Sequence, residues 1–102
     1  MLHGASGVSG EIVEKANSFG AQIKGASGIP NDNIKRAVSM GVNKINIDTD
    51  LRLAYTAAIR ESFSAKPENF DPRKYLGPAR DAVYGVVKTK IELFGSAGKS
   101  VR

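Results

Sequence analysis

Two short stretches read as β-strands running into polar turns, and they limit what this chain can fold into by itself. The first is a strand end at "LHGASG", residues 2–7; the second is "VNKINID", residues 42–48, where Val42, Ile45 and Ile47 are mostly interrupted by polar residues. Two strands leave two unpaired edges and apolar faces without partners, so they do not make an independent sheet. Strands alternating with helices instead argue for an α/β fold with a parallel sheet and crossover helices. The sequence therefore reads as part of a larger body.

The intervening segments carry helical spacing. Ile12, Val13, Ala16 and Phe19 recur on one face and Gly20 stands as a stop. "AQIKGAS" follows as a brief extended piece. Pro30 and Asp32 then start a second helix, whose apolar positions Ile34, Ala37 and Val38 end at Gly41. A third helix spans 50–64, with Asp48, Thr49 and Asp50 as N-cap candidates and a stop before Pro67. In "FDPRKYLGPARDAV", Asp71-Pro72 and Gly77-Pro78 are two start signals in succession, predicting a short helix and then a long one. The long helix turns Ala79, Ala82, Val83, Val86, Val87 and Ile91 inward and ends at Gly95.

Composition narrows the function classes. The 102 residues suffice for one small domain. There is no cysteine and a single histidine, so a disulfide framework and a self-contained histidine or thiolate metal site are both excluded. No apolar run approaches a membrane span, and Met1 is followed by Leu-His-Gly rather than a basic leader, so no membrane partner is expected and the location is read as cytoplasmic. The net charge is +5, but the fifteen Lys and Arg are scattered, with no aromatic residues interleaved as stacking platforms. That pattern fits a solvated face or an anionic small-molecule substrate, not nucleic acid.

Chemistry-bearing residues gather at the two strand ends. "HGAS" offers an imidazole, a glycine that admits close backbone approach and a small hydroxyl; "NIDTD" offers an amide, carboxylates and a hydroxyl just before a helix N-terminus. Backbone N–H groups at such turns bind phosphate without any lysine. Plainer readings stand beside these: His3 as a frayed terminal side chain, Asp48, Thr49 and Asp50 as helix caps, Arg73 as a surface arginine. The repeated "GASG" at 4–7 and 25–28 lies in unlike surroundings and reads as two glycine turns, a place near bound phosphate being left open for the second. The tail "FGSAGKS" imitates a nucleotide-binding P-loop, but Leu93 stands where that pattern needs its first glycine.

Taken in order, "LHGASG", "GASGIP", "KINIDTDLRLAYTAAIR", "FDPRKYLGPARDAV" and "IELFGSAGK" closely resemble the C-terminal portion of class II, zinc-dependent fructose-bisphosphate aldolases, a group that also contains tagatose-bisphosphate aldolases. The resemblance covers essentially the whole chain. It implies a (β/α)8 TIM barrel of which residues 1–102 supply the last two βα units, the C-terminal portion of a single domain incomplete at its N-terminus.

The resemblance also implies roles. His3 matches a zinc-binding histidine. Gly4, Ala5 and Ser6 match one loop that binds dihydroxyacetone phosphate, and Asn46, Ile47, Asp48 and Thr49 match the second. Asp48 would orient substrate hydroxyls, and Thr49 with neighbouring N–H groups would hold the phosphate. The Gly4–Ser6 loop is where family members bind a monovalent cation, Na+ or K+. Arg73 matches an arginine that reaches into a partner subunit's site, implying a homo-oligomer, a dimer or higher. The implied activity is aldol cleavage of fructose 1,6-bisphosphate to dihydroxyacetone phosphate and glyceraldehyde 3-phosphate, with zinc as Lewis acid. The other zinc histidines and the catalytic aspartate are not in this sequence, so the isolated chain is expected to be inactive and to carry no catalytic residue of its own. Two alternatives remain: a tagatose-1,6-bisphosphate aldolase, and a noncatalytic phosphate-binding or oligomerising module that pairs with itself or with a complementary N-terminal barrel fragment.

Overall fold

In a computed structural model that describes residues 4–25 and 28–100, the chain forms four helices: α1 Gly10–Ser18, α2 Asn31–Ser39, α3 Thr49–Ala65 and α4 Pro72–Leu93. The helix stops fall where glycines sit. After α1, α2 and α4 the chain passes through Gly20, Gly41 and Gly95, each with positive φ. In each case the next N–H reaches back to an orphan carbonyl: Ala21 to Ala16 at 3.0 Å, Val42 to Ala37 at 3.2 Å and Ser96 to Ile91 at 3.0 Å. This is the Schellman closure, which a residue without Cβ adopts at least cost.

Two expectations about α4 need correction. The Gly77-Pro78 signal does not start a new helix, because α4 runs unbroken through Pro78. Proline removes one N–H here, and the usual clash of its ring with the preceding Cβ is absent because residue 77 is glycine. Val87 and Ile91, expected inside, are 38% and 43% exposed. The buried edge of α4 instead follows Ala79, Val83, Val86 and Lys90, which keep to one line at 3.6 residues per turn, and Val87 and Ile91 fall to its side.

α3 is the organising helix, packed mainly against α4 and on another side against α1, while α2 touches α4. Beside Leu53, its core residues Ala54, Ala57 and Ala58 are short, which lets the neighbouring helices approach. Ala57 joins Ala16 and Ala21 in a small cluster backed by Ile12 and Ile23. Phe63 and Tyr75 meet edge to face at 4.8 Å, tying the end of α3 to the start of α4. The Lys15–Glu61 pair at 2.6 Å is half exposed and adds little.

The β structure expected at 42–47 is reduced to an isolated bridge at Ile45, and no strand forms among the described residues. The physical reason is the one read from the sequence: two short strands without further strands beside them do not make a stable sheet. Among the described residues a backbone bond still joins the two segments, from the Ala5 N–H to the Asn46 carbonyl at 3.4 Å. The expected strand at residues 2–3 lies outside the described residues. The molecule is a slab of 49 × 37 × 16 Å with a radius of gyration of 15.4 Å. A compact chain of this length would have a radius near 13 Å.

Candidate functional site

The Ser6 loop, residues 4–8, is built from contacts with three other segments. Ser6 and Ala5 are buried, at 8% and 1% exposure. The Ser6 carbonyl accepts the Ile29 N–H at 2.9 Å, and its hydroxyl accepts the Asp48 N–H at 3.3 Å. Gly28 crosses so close that a Cβ there would sit 2.1 Å from the Ser6 carbonyl oxygen and 2.7 Å from the Gly7 carbonyl carbon. Only glycine fits that crossing.

Behind the loop lies Asp50, in the first turn of α3. Its carboxylate accepts the Gly7 N–H at 2.8 Å and the Val8 N–H at 2.7 Å, one on each oxygen. Lys90 from α4 closes the arrangement, its Nζ 3.0 Å from Asp50 Oδ2, with both side chains almost wholly buried. Val8 is the one non-glycine residue with positive φ among those described, at 47°. For a β-branched residue that conformation is costly, and the bond from its N–H to Asp50 offsets the strain.

On the open side, Gly4, Ser6, Val8, Gly25, Gly28, Asn46, Ile47, Asp48 and Thr49 line a single cleft of about 380 Å³. The two loops expected to share a ligand are therefore brought together. Ala5 lies buried behind that surface. Asp48 is the N-cap of α3 by position, yet its side chain makes no cap hydrogen bond; it pairs with Arg52 at 3.1 Å, and Arg52 also reaches Thr49 Oγ1. The N-terminus of α3, with its positive partial charge, borders the cleft with no side chain bonded over it, while the Asp48 carboxylate lines the same cleft and Asp50 sits in the same first turn. Lys44 donates to Asn46 Oδ1 at 2.6 Å.

Arg73 stands apart from the cleft. Its guanidinium and backbone N–H both bond Asp71, the N-cap of α4. Those side-chain bonds, followed by the backbone bond, hold Asp71 below its ordinary carboxylate range and raise Arg73 in turn. His3 lies outside the described residues. Among those described, no group of three or more His, Cys, Asp or Glu comes together to hold a metal. No described helix is long and apolar enough to cross a membrane.

Sequence reasoning treated Asp50 as one of three cap candidates and one of the carboxylates of "NIDTD", with no structural partner assigned to it, and passed over Lys90. A lysine at an inward-facing helical position was the available signal. Gly28 belonged to the second "GASG" turn, and Gly25 and Gly28 do line the same cleft.

The family model of class-II fructose-bisphosphate aldolase matches residues 1–99. Among curated proteins the chain is similar to a fructose-bisphosphate aldolase of Thermus caldophilus, 57% identical over 98% of this chain and 33% of that protein. It is 46% identical to fructose-bisphosphate aldolases of Giardia intestinalis, over 96% of this chain and 30% of that protein, and of Treponema pallidum, over 98% and 30%. The chain thus spans about a third of the length of the curated relatives it matches. A pair of glycine-rich loops meeting at a helix start, and a match along nearly every residue, lead to one conclusion: this chain belongs to the class-II fructose-bisphosphate aldolase family.

Proposed function

We propose that this chain forms the phosphate-binding corner of a class II fructose-1,6-bisphosphate aldolase, the part that holds dihydroxyacetone phosphate as the sugar bisphosphate is cleaved. One observation carries the reading: the Ser6 loop and residues 46–49 line one cleft at the uncapped start of α3. Phosphate there gains backbone N–H groups and the helix dipole, and Ser6 and Thr49 supply hydroxyls. Asp48, exposed at the same cleft, is placed to accept hydrogen bonds from substrate hydroxyls.

In the family reading the chain supplies the last two βα units of a (β/α)8 barrel, with these loops at the strand ends where barrel enzymes hold phosphate. The thin slab supports that reading, since such a shape leaves apolar side chains for the rest of the barrel to cover. Zinc supplies Lewis-acid chemistry to the family reaction when bound. This chain would give it His3 alone; its described residues do not form a donor set, so the metal needs ligands from outside this chain and no step is assigned to it. A monovalent cation would sit at the carbonyls of the Gly4–Ser6 loop. The Arg73 contribution to a second subunit requires it to leave Asp71, and the homo-oligomer is tested by sedimentation. The names of the curated relatives favour fructose over tagatose bisphosphate.

A chimera tests the function directly. Residues 1–100 would replace the matching segment of the Thermus caldophilus protein. The expected result is zinc-dependent cleavage of fructose 1,6-bisphosphate by the chimera, with a raised KM when Thr49→Ala is added. A folded chimera without cleavage activity would favour a noncatalytic module instead.

A further inference from the structure

We propose that Asp50, held by Lys90, is a positioning residue: it sets the Ser6 loop against the start of α3 and thereby tunes the cleft's affinity for phosphate, a claim that rests on the phosphate reading of that cleft. Asp50 lines no part of the cleft itself. It grips the loop from behind, through the consecutive Gly7 and Val8 N–H groups at 2.8 and 2.7 Å. The loop's cleft-facing residue, Ser6, is adjacent to the first of these and receives the Asp48 N–H. Position along the chain thus makes Asp50 the bridge between the two loops: it belongs to the α3 start two residues after Asp48, and it anchors the other loop one residue after Ser6.

A lone buried carboxylate would not hold that geometry, because desolvation works against it. Lys90, 9% exposed, brings its ammonium from α4 to Oδ2 at 3.0 Å and supplies the compensating charge. The same Nζ would lie 3.1 Å from a Cβ at residue 7, so the lysine packs directly under the loop it helps to fix. The result is a three-part lock in which α4, outside the cleft altogether, controls the shape of its floor. An isosteric Asn at position 50 would accept at one oxygen only and turn its amide N–H toward a backbone donor.

The test uses inorganic phosphate as probe and backbone amide resonances as readout, on the folded chimera with the Thermus caldophilus protein, as wild type and as Lys90→Met, Lys90→Arg and Asp50→Asn. Without ligand, Lys90→Met and Asp50→Asn are expected to lose hydrogen-exchange protection at Gly7 and Val8 while α1 and α3 amides keep theirs. With phosphate, both are expected to bind about tenfold to a hundredfold more weakly, the scale of one lost charge-assisted hydrogen bond. Lys90→Arg should restore most of the affinity, which a merely structural filler would not do. A wild-type phosphate response left unchanged in folded Lys90→Met would overturn the positioning role alone. Absence of any response in the wild type would overturn the phosphate reading and this proposal with it. Should Asp50→Asn fail to fold, the two Lys90 variants decide the matter.

Discussion

Replacing Gly28 by alanine is the sharpest perturbation of the architecture that joins the two loops. The new methyl would lie 2.1 Å from the Ser6 carbonyl oxygen, 2.7 Å from the Gly7 carbonyl carbon and 2.8 Å from Val8 Cγ2, where ordinary contact begins at 3.4 Å. Two of these three atoms are backbone, so no rotamer change relieves the overlap. Either the Ser6 loop or the segment before α2 must shift, and the 2.9 Å bond from the Ile29 N–H to the Ser6 carbonyl is the first to break. Overpacking of this kind costs about 1–3 kcal/mol and the lost hydrogen bond about 1 more, together about 2–4 kcal/mol. For a chain of this size each kcal/mol lowers Tm by about 4–8 °C, so the expected drop is roughly 8–32 °C. Thermal unfolding followed by circular dichroism measures it, with Gly85→Ala as the control. A Gly28→Ala protein that melts within about 3 °C of wild type, less than a 1 kcal/mol effect, would refute the crossing as described.

Other substitutions give graded outcomes. Gly85→Ala, inside α4 with no atom within 4 Å of the added methyl, should stabilise by about 0.5–1 kcal/mol, read as a raised Tm. Ser6→Ala removes the acceptor of the Asp48 N–H and a hydroxyl lining the cleft, and should weaken inorganic phosphate binding about tenfold by titration calorimetry, the scale of a single hydrogen bond. The Asp71 cap has a defined pH dependence: its folded pKa lies below the ordinary 3.8, so its contribution is complete above that value and is lost as pH falls below it through the folded pKa. The first turn of α4 should therefore fray only under acid, seen as loss of the Arg73 and Lys74 amide protection, and Asp71→Ala should abolish that pH dependence.

The parts of the fold that local chemistry decides were legible in the sequence. Gly20, Gly41 and Gly95 stop their helices because a left-handed residue closes the last turn, and that requirement is written in one residue. Asp71-Pro72 starts α4 for an equally local reason. The Pro78 break was not legible as false, because Gly77 reads equally as a stop and as relief of the proline clash, and the packing of α4 against α3 decides between them. The strands failed for a nonlocal reason: Val42, Ile45 and Ile47 have the right alternation, but ladders need neighbours that these residues do not supply.

The site followed the same division. Gly4, Ser6, Asn46, Ile47, Asp48 and Thr49 were singled out by residue type and resemblance, and the structure brings them to one cleft. Arg73 was singled out in the same way, but its contacts are with its own cap. Asp50 and Lys90 are separated by most of α3 and all but the end of α4, so no spacing rule links them. Their partnership exists only after the helices pack.

The central claim is that one ligand touches both loops at once, and a titration of the chain with dihydroxyacetone phosphate, followed by backbone amide shifts, tests it most directly. The account predicts that Gly4, Ser6, Asp48 and Thr49 move together along one saturable curve, with α1 and the distal half of α4 unaffected. Shifts confined to one loop, or two loops responding with different affinities, would contradict it.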